Sequence, residues 1–169
     1  EGWQRYASDD TISTAPMADG GPGFADVLHE ALGGELIEVT VLGPLGNDVE
    51  VTILQVGGTA YVESAQACGL HLADPPDPLH SSTYGVGQLI SAALDRGVRT
   101  IVVGLGGSAT NDGGAGLLAA LGVTADRPLD GGPAGLDGVT SADLSVARER
   151  LRGTEVVIAA DVDVTLLGM

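Results

Sequence analysis

The chain has 169 residues, 7 of them basic and 23 acidic, for a formal net charge of −16, and 27 are glycine; all seven basic residues are arginine. This balance excludes the electrostatic attraction on which nucleic-acid affinity rests and opposes an anionic membrane surface, while the lack of lysine excludes a self-sufficient lysine-dependent site. With 44% hydrophobic residues but few aromatic ones (Trp3, Tyr6, Phe24, Tyr61, Tyr84), the core must be aliphatic, which favours α/β architecture. Cys68 is the only cysteine, so internal disulfides and thiolate metal clusters are excluded. No run reaches the roughly eighteen apolar residues of a membrane span, and the start from Glu1 to Asp10 is polar, so a soluble, cytoplasmic protein is expected.

In chain order, Thr11 to Ala15 reads as a short, weakly β-prone run leading into the glycine- and proline-rich loop Pro16 to Gly23. Phe24, Val27, Leu28, Ala31 and Leu32 form one apolar helical face, stopped by Gly33-Gly34. Leu36 to Leu42 and Val49 to Val56 are β-branched runs joined by Gly43 to Asp48 and predict a hairpin; Thr59 to Glu63 predicts a third strand, followed by a helical turn over Ser64 to Cys68. After the breaker Asp74-Pro75-Pro76-Asp77-Pro78 the pattern changes to βα units. A helix around Leu89 to Leu94 precedes a buried strand Thr100 to Val103; helices over Leu117 to Leu121 and Ala142 to Leu151 precede a second buried strand, Val156 to Ala160. The expected architecture is α/β: a mostly parallel, right-handed βαβ-wound sheet flanked by helices, with an antiparallel hairpin region. Residues 1–35 are assigned to part of a first α/β domain and residues 36–169 to most of a second.

Three segments carry chemistry. Gly104 to Gly116 places six glycines between a buried strand and a helix, the position at which α/β sheets bind phosphates through backbone amides and the helix N-terminus. Ser108, Thr110 and Asn111 add polar groups, and Asp112 either caps the following helix or holds Mg2+ and accepts a substrate proton. The segment is neither a P-loop nor a dinucleotide turn in the usual register. Ala18 to Gly23 repeats the logic, with Asp19 as a cap or a cleft residue. Asp161 and Asp163, spaced i, i+2 at a strand end, can bind a cation or hold a hydroxyl, or stand solvated. At Glu63-Ser64 the pattern does not separate a helix cap from a ligand role. His29, His71 and His80 lack metal spacing, Cys68 reads as a small core residue, and Arg148, Arg150 and Arg152 as a solvated face.

Taken in order, Pro16-Met17-Ala18-Asp19-Gly20-Gly21, Gly43-Pro44-Leu45-Gly46, Glu63-Ser64-Ala65, Asp77-Pro78-Leu79, Ser82 to Ile90, the Gly104 to Gly116 run and Ala160-Asp161-Val162-Asp163 resemble the bacterial glycerate kinase family. The resemblance implies ATP-dependent phosphorylation of glycerate, usually at the 2-hydroxyl, in the cleft between two α/β domains. It also implies that the chain is a fragment, since the family enzyme extends beyond both ends and carries a lysine in its N-terminal loop. Two departures stand out: Pro22, where the family has glutamate, and Val164-Thr165, where it has Asn-Pro. Pro22 removes a carboxylate and a backbone donor. On this reading Asp19, Gly20, Gly106, Gly107, Ser108 and Asn111 bind glycerate or nucleotide. Asp112 and Asp161 are the candidate bases and Mg2+ ligands, with the choice between them open. A competing reading takes Ser108 as a hydrolase nucleophile, because Gly-Gly-Ser also occurs in serine amidases; the lysine base of those enzymes is absent, and no histidine lies near the loop in sequence.

Overall fold

The computed structural model describes residues 2–162. Its centre is a five-stranded mixed sheet in the order β1-β2-β3-β4-β7. Strands β1 (Glu35–Leu42), β2 (Asp48–Val56) and β3 (Thr59–Glu63) form an antiparallel meander; β4 (Thr100–Gly104) and β7 (Glu155–Ala159) continue it in parallel. The expected hairpin forms because Val39 faces Val51 and Val41 faces Val49 across the strands. Its turn is closed by the Gly43 amide donating to the Asn47 carbonyl at 2.7 Å.

Alternation sends successive side chains of each strand to opposite faces. One face of β3 and β4, with Ala60, Val62, Ile101 and Val103, is buried in a core shared with α3 (Tyr84–Asp95), against which α4 (Ala115–Ala120) packs. The other is covered by α1 (Phe24–Leu32), whose buried Phe24 meets Tyr61 edge-on with ring centroids 6.4 Å apart. Residues 1–35 and the sheet are thus in contact through α1, which packs on β2 and β3. Short elements fill the connections: α2 (Ala65–Cys68), a 3-10 turn at Leu70–Leu72, α5 (Gly132–Gly135), α6 (Ser145–Arg150), and a small antiparallel pair of β5 (Thr124–Ala125) and β6 (Ala142–Asp143).

Three expectations are corrected. Thr11 to Ala15 is exposed and forms no strand, because no neighbouring strand offers its backbone a ladder among the described residues. The helix expected from Ala142 begins only at Ser145, since Ala142 and Asp143 pair with β5. The strand expected to be buried near Val156 is the edge strand β7, with Val156, Val157 and Ile158 at 40%, 38% and 55% exposure. An apolar run reports what a strand can bury; coverage depends on neighbours, and among the described residues β7 has a strand on one side only. Asp163 and Val164-Thr165 lie outside the described residues.

Candidate active site

Parallel pairing aligns the carboxyl ends of three strands, Glu63 of β3 beside Gly104 of β4 and Gly104 beside Ala159 of β7. The expected loops meet above them. The Leu105 amide donates to the Ala159 carbonyl at 2.9 Å, and the Ser64 amide to the Gly104 carbonyl at 3.1 Å. The 19–23 loop lies against the start of the 104–116 loop, backbone to backbone. A Cβ on Gly106 would stand 2.7 Å from the Gly21 Cα; one on Gly20, which has φ +95°, would stand 2.4 Å from the Ala159 carbonyl oxygen. Only glycine fits such an approach. The Pro22 ring packs beside Gly107, 3.2 Å from where a Cβ there would lie.

Gly107 to Ala109 is pinned from below by the exit of α2: the Leu70 amide donates to the Gly107 carbonyl and the Ala109 amide to the Cys68 carbonyl, both at 2.8 Å. The Cys68 thiol, 3.6 Å from the Ser108 hydroxyl, is buried, and that burial pushes its pKa up. A thiol so held is no base for Ser108, and among the described residues no histidine bonds to that serine. The hydrolase reading therefore gains no support.

Asp112 is buried at 2% exposure, and its carboxylate is filled by donors. Oδ1 accepts from the Gly114 amide at 3.0 Å, and Oδ2 from the Gly116 amide at 3.1 Å and the Thr83 amide at 2.9 Å. The Thr83 hydroxyl donates to the same carboxylate at 2.9 Å and accepts from the Leu117 amide. These four donors match the roughly four lone-pair sites of a carboxylate. Of the two roles open to Asp112 in the sequence, the geometry fills the cap, and it caps twice, joining the starts of α3 and α4. Thr83, its partner, is not among the residues the sequence singles out: the apolar periodicity there begins only at Leu89, whereas α3 starts at Tyr84 with Thr83 as its N-cap.

Asp19 is exposed and accepts from the Gly21 amide at 3.0 Å, closing its own loop. Asn111 and Asp161 are exposed and make no side-chain hydrogen bond among the described residues. Glu63, by contrast, is 4% exposed and accepts from the Gly23 and Ala25 amides, both at 3.1 Å. The amides of Gly106, Gly107 and Ser108, and those from Thr110 to Gly113, donate to nothing among the described residues. Gly107, Ser108, Asn111 and Gly113 are exposed, Gly106 and Thr110 are half-buried and Asp112 is buried. Below the loop a cavity of about 420 Å³ runs from Ser64, Thr83 and Thr110 to apolar side chains such as Val86, Leu117 and Ile158.

For Mg2+, the saturated carboxylate of Asp112 does not fit, and among the described residues no three His, Cys, Asp or Glu side chains group as a cage. Asp161 is exposed just after β7, and one or two carboxylates ordinarily share the ion with phosphate oxygens.

The model of the glycerate kinase family matches residues 1–169. The chain belongs to that family. It is 41% identical to a glycerate kinase of Haemophilus influenzae, with 99% of the chain and 46% of that relative aligned. To the glycerate 2-kinase of Escherichia coli K12 it is 36% identical, over the same shares. A crystal structure of a Salmonella typhimurium LT2 protein, solved as a candidate glycerate kinase 2, superposes with a TM-score of 0.83 at 38% identity. That superposition covers 98% of the chain and 47% of the Salmonella protein, so the α/β fold of the family is the fold described above. The chain spans about half the length of these relatives. Among the described residues, no helix is long and apolar enough to cross a membrane.

Proposed function

We propose that the protein carrying this chain transfers the γ-phosphoryl group of ATP to a hydroxyl of D-glycerate, releasing ADP and giving 2-phosphoglycerate. The observation that carries this reading is the row of amides from Gly106 to Ser108, uncommitted among the described residues and exposed at Gly107 and Ser108, at the carboxyl ends of parallel strands, in a chain matched throughout by one kinase family. Such amides hold phosphate or carboxylate oxygens without a lysine. Asn111 and Asp19, exposed at the two loops, are proposed to orient substrate, and Gly20 and Gly106 to keep the loops in register. Asp161 takes the proton of the attacking hydroxyl, a role for which its carboxylate is free of hydrogen bonds among the described residues; Asp112 holds the scaffold that carries the amides. Mg2+, bound with the nucleotide, would supply charge neutralisation at the phosphates, and Asp161 is proposed as a residue that would contribute a ligand. The division at residue 35 is proposed to separate two domains of the parent that touch through α1, with the site at their junction.

The test is glycerate-dependent ADP release by the full-length protein, with the product's phosphate position read by NMR. Asp161→Asn is expected to lower kcat by about a hundredfold, as loss of a general base does. Absence of glycerate-dependent turnover in the unaltered protein overturns the reading; release of 3-phosphoglycerate overturns the assigned position. A second reading holds for the 169 residues by themselves, anion binding without turnover. Among the described residues no hydrogen bond or ion pair brings an arginine to either loop, which favours it. Calorimetric binding of Mg-ATP with no ADP release is the expected result for this chain.

A further inference from the structure

We infer that Glu63 is a positioning residue for this site: its carboxylate ties the 19–23 loop to the end of β3 and thereby sets that loop's spacing from the 104–116 loop. The inference rests on the kinase reading of the site.

Burying a carboxylate is costly unless it is hydrogen-bonded and its charge is met. Glu63 is 4% exposed, and no arginine or histidine bonds to it among the described residues. Its charge is met instead by the N-terminus of α1, where the first-turn amides carry partial positive charge. Both oxygens are engaged there, Oε1 by the Gly23 amide and Oε2 by the Ala25 amide, across 40 and 38 residues of sequence. Apart from the Val27 amide's bond to the Gly23 carbonyl and those within α1, these are, among the described residues, the only hydrogen bonds joining residues 19–25 to the rest of the chain; the others there, Asp19 with the Gly21 amide and the Phe24 amide with the Gly21 carbonyl, are internal. The approach of Gly106 to Gly21 and of Gly104 to the Gly20 carbonyl is steric contact, which limits how close the loops come without fixing how far apart they drift. Glu63 supplies the missing directional hold, from a strand end in register with Gly104 itself. It also occupies the α1 N-terminus with an internal anion, which directs a substrate oxyanion to the amides of Gly106 to Ser108.

The experiment compares Glu63→Gln and Glu63→Asp with the unaltered full-length protein. Gln keeps the shape but turns an amide NH2 toward one of the two N–H groups; Asp keeps the charge but is one methylene too short. Both are expected to speed hydrogen exchange at Gly23 and Ala25 and to raise KM about tenfold, the loss of roughly one hydrogen bond to a charged acceptor. kcat should stay within about threefold. A merely structural role would lower the thermal midpoint and the active fraction with KM unchanged. A purely electrostatic one would lower KM in Gln, which removes a negative charge near an anion site, and leave Asp like the parent. Either result overturns the inference. If neither variant folds, exchange in the unaltered protein decides: protected Gly23 and Ala25 amides uphold the tether, and unprotected ones overturn it. If the unaltered protein shows no turnover, the kinase reading fails, and the exchange data still judge the tether separately.

Discussion

Asp112→Ala is expected to destabilise the folded chain by about 3 kcal/mol or more, read as a lower midpoint in urea unfolding. The substitution leaves the amides of Thr83, Gly114 and Gly116 without their acceptor inside a region where Asp112 was 2% exposed. Each buried donor left unpaired costs about 1–3 kcal/mol, and helix starts stripped of a cap lose about 1 kcal/mol. Asp112→Asn should recover little, because its NH2 would meet a donor wherever it points. Asp161→Asn provides the contrast: that side chain is exposed and unbonded among the described residues, so stability should hold within about 0.5 kcal/mol while turnover falls. A stable but inactive Asp112→Ala protein would return Asp112 to the reacting centre.

Gly106→Ala is expected to lower kcat/KM of the full-length protein by about a hundredfold, the scale on which small misplacement at a reacting centre acts, with a smaller loss of stability. The added methyl group would stand 2.7 Å from the Gly21 Cα and 3.0 Å from its nitrogen, and both are backbone, which cannot swing aside as a side chain does. One loop must move, at a cost typical of overpacking, about 1–3 kcal/mol. Because the amides of Gly106 to Ser108 belong to the displaced loop, the damage concentrates where the substrate oxygens are to be held. Steady-state kinetics on the folded variant is the check; kinetics like those of the parent would show that the contact between the loops does not govern the site.

Local periodicity made most elements legible. The helix from Phe24 to Leu32, the paired runs around Gly43 to Asp48 and the run Thr100 to Val103 all form as read, because each pattern needs only its own residues or those of a near neighbour, although Ala31 and Leu32 of the expected apolar face are exposed and Ala25 is buried in their place. What escaped depended on distant partners. Asp112 could be a cap or a ligand in sequence, and the deciding donor, Thr83, lies 29 residues away. Glu63 was equally ambiguous until the Gly23 and Ala25 amides, about forty residues upstream, closed on it. Ala142 and Asp143 carried helical spacing yet joined a two-residue strand, since pairing with Thr124 and Ala125 satisfies their backbone first. The meeting of the two glycine loops was foreshadowed only by their shared composition; that Gly106 and Gly21 touch is a property of the sheet order.

The edge position of β7 has a colloidal consequence. Among the described residues its outward row of backbone donors and acceptors has no partner strand and is a template for a second one, and Glu155 is the only charged residue within β7. The opposite edge, β1, is better guarded, with Glu35 and Glu38 along its length. Pairing of identical copies along β7 is opposed by the long-range repulsion of sixteen net negative charges on each. That repulsion reaches about 30 Å at 0.01 M salt and only about 3 Å at 1 M. The chain by itself should therefore remain dispersed in dilute buffer and associate as salt is added, the reverse of the ordinary salting-in of a protein near neutrality.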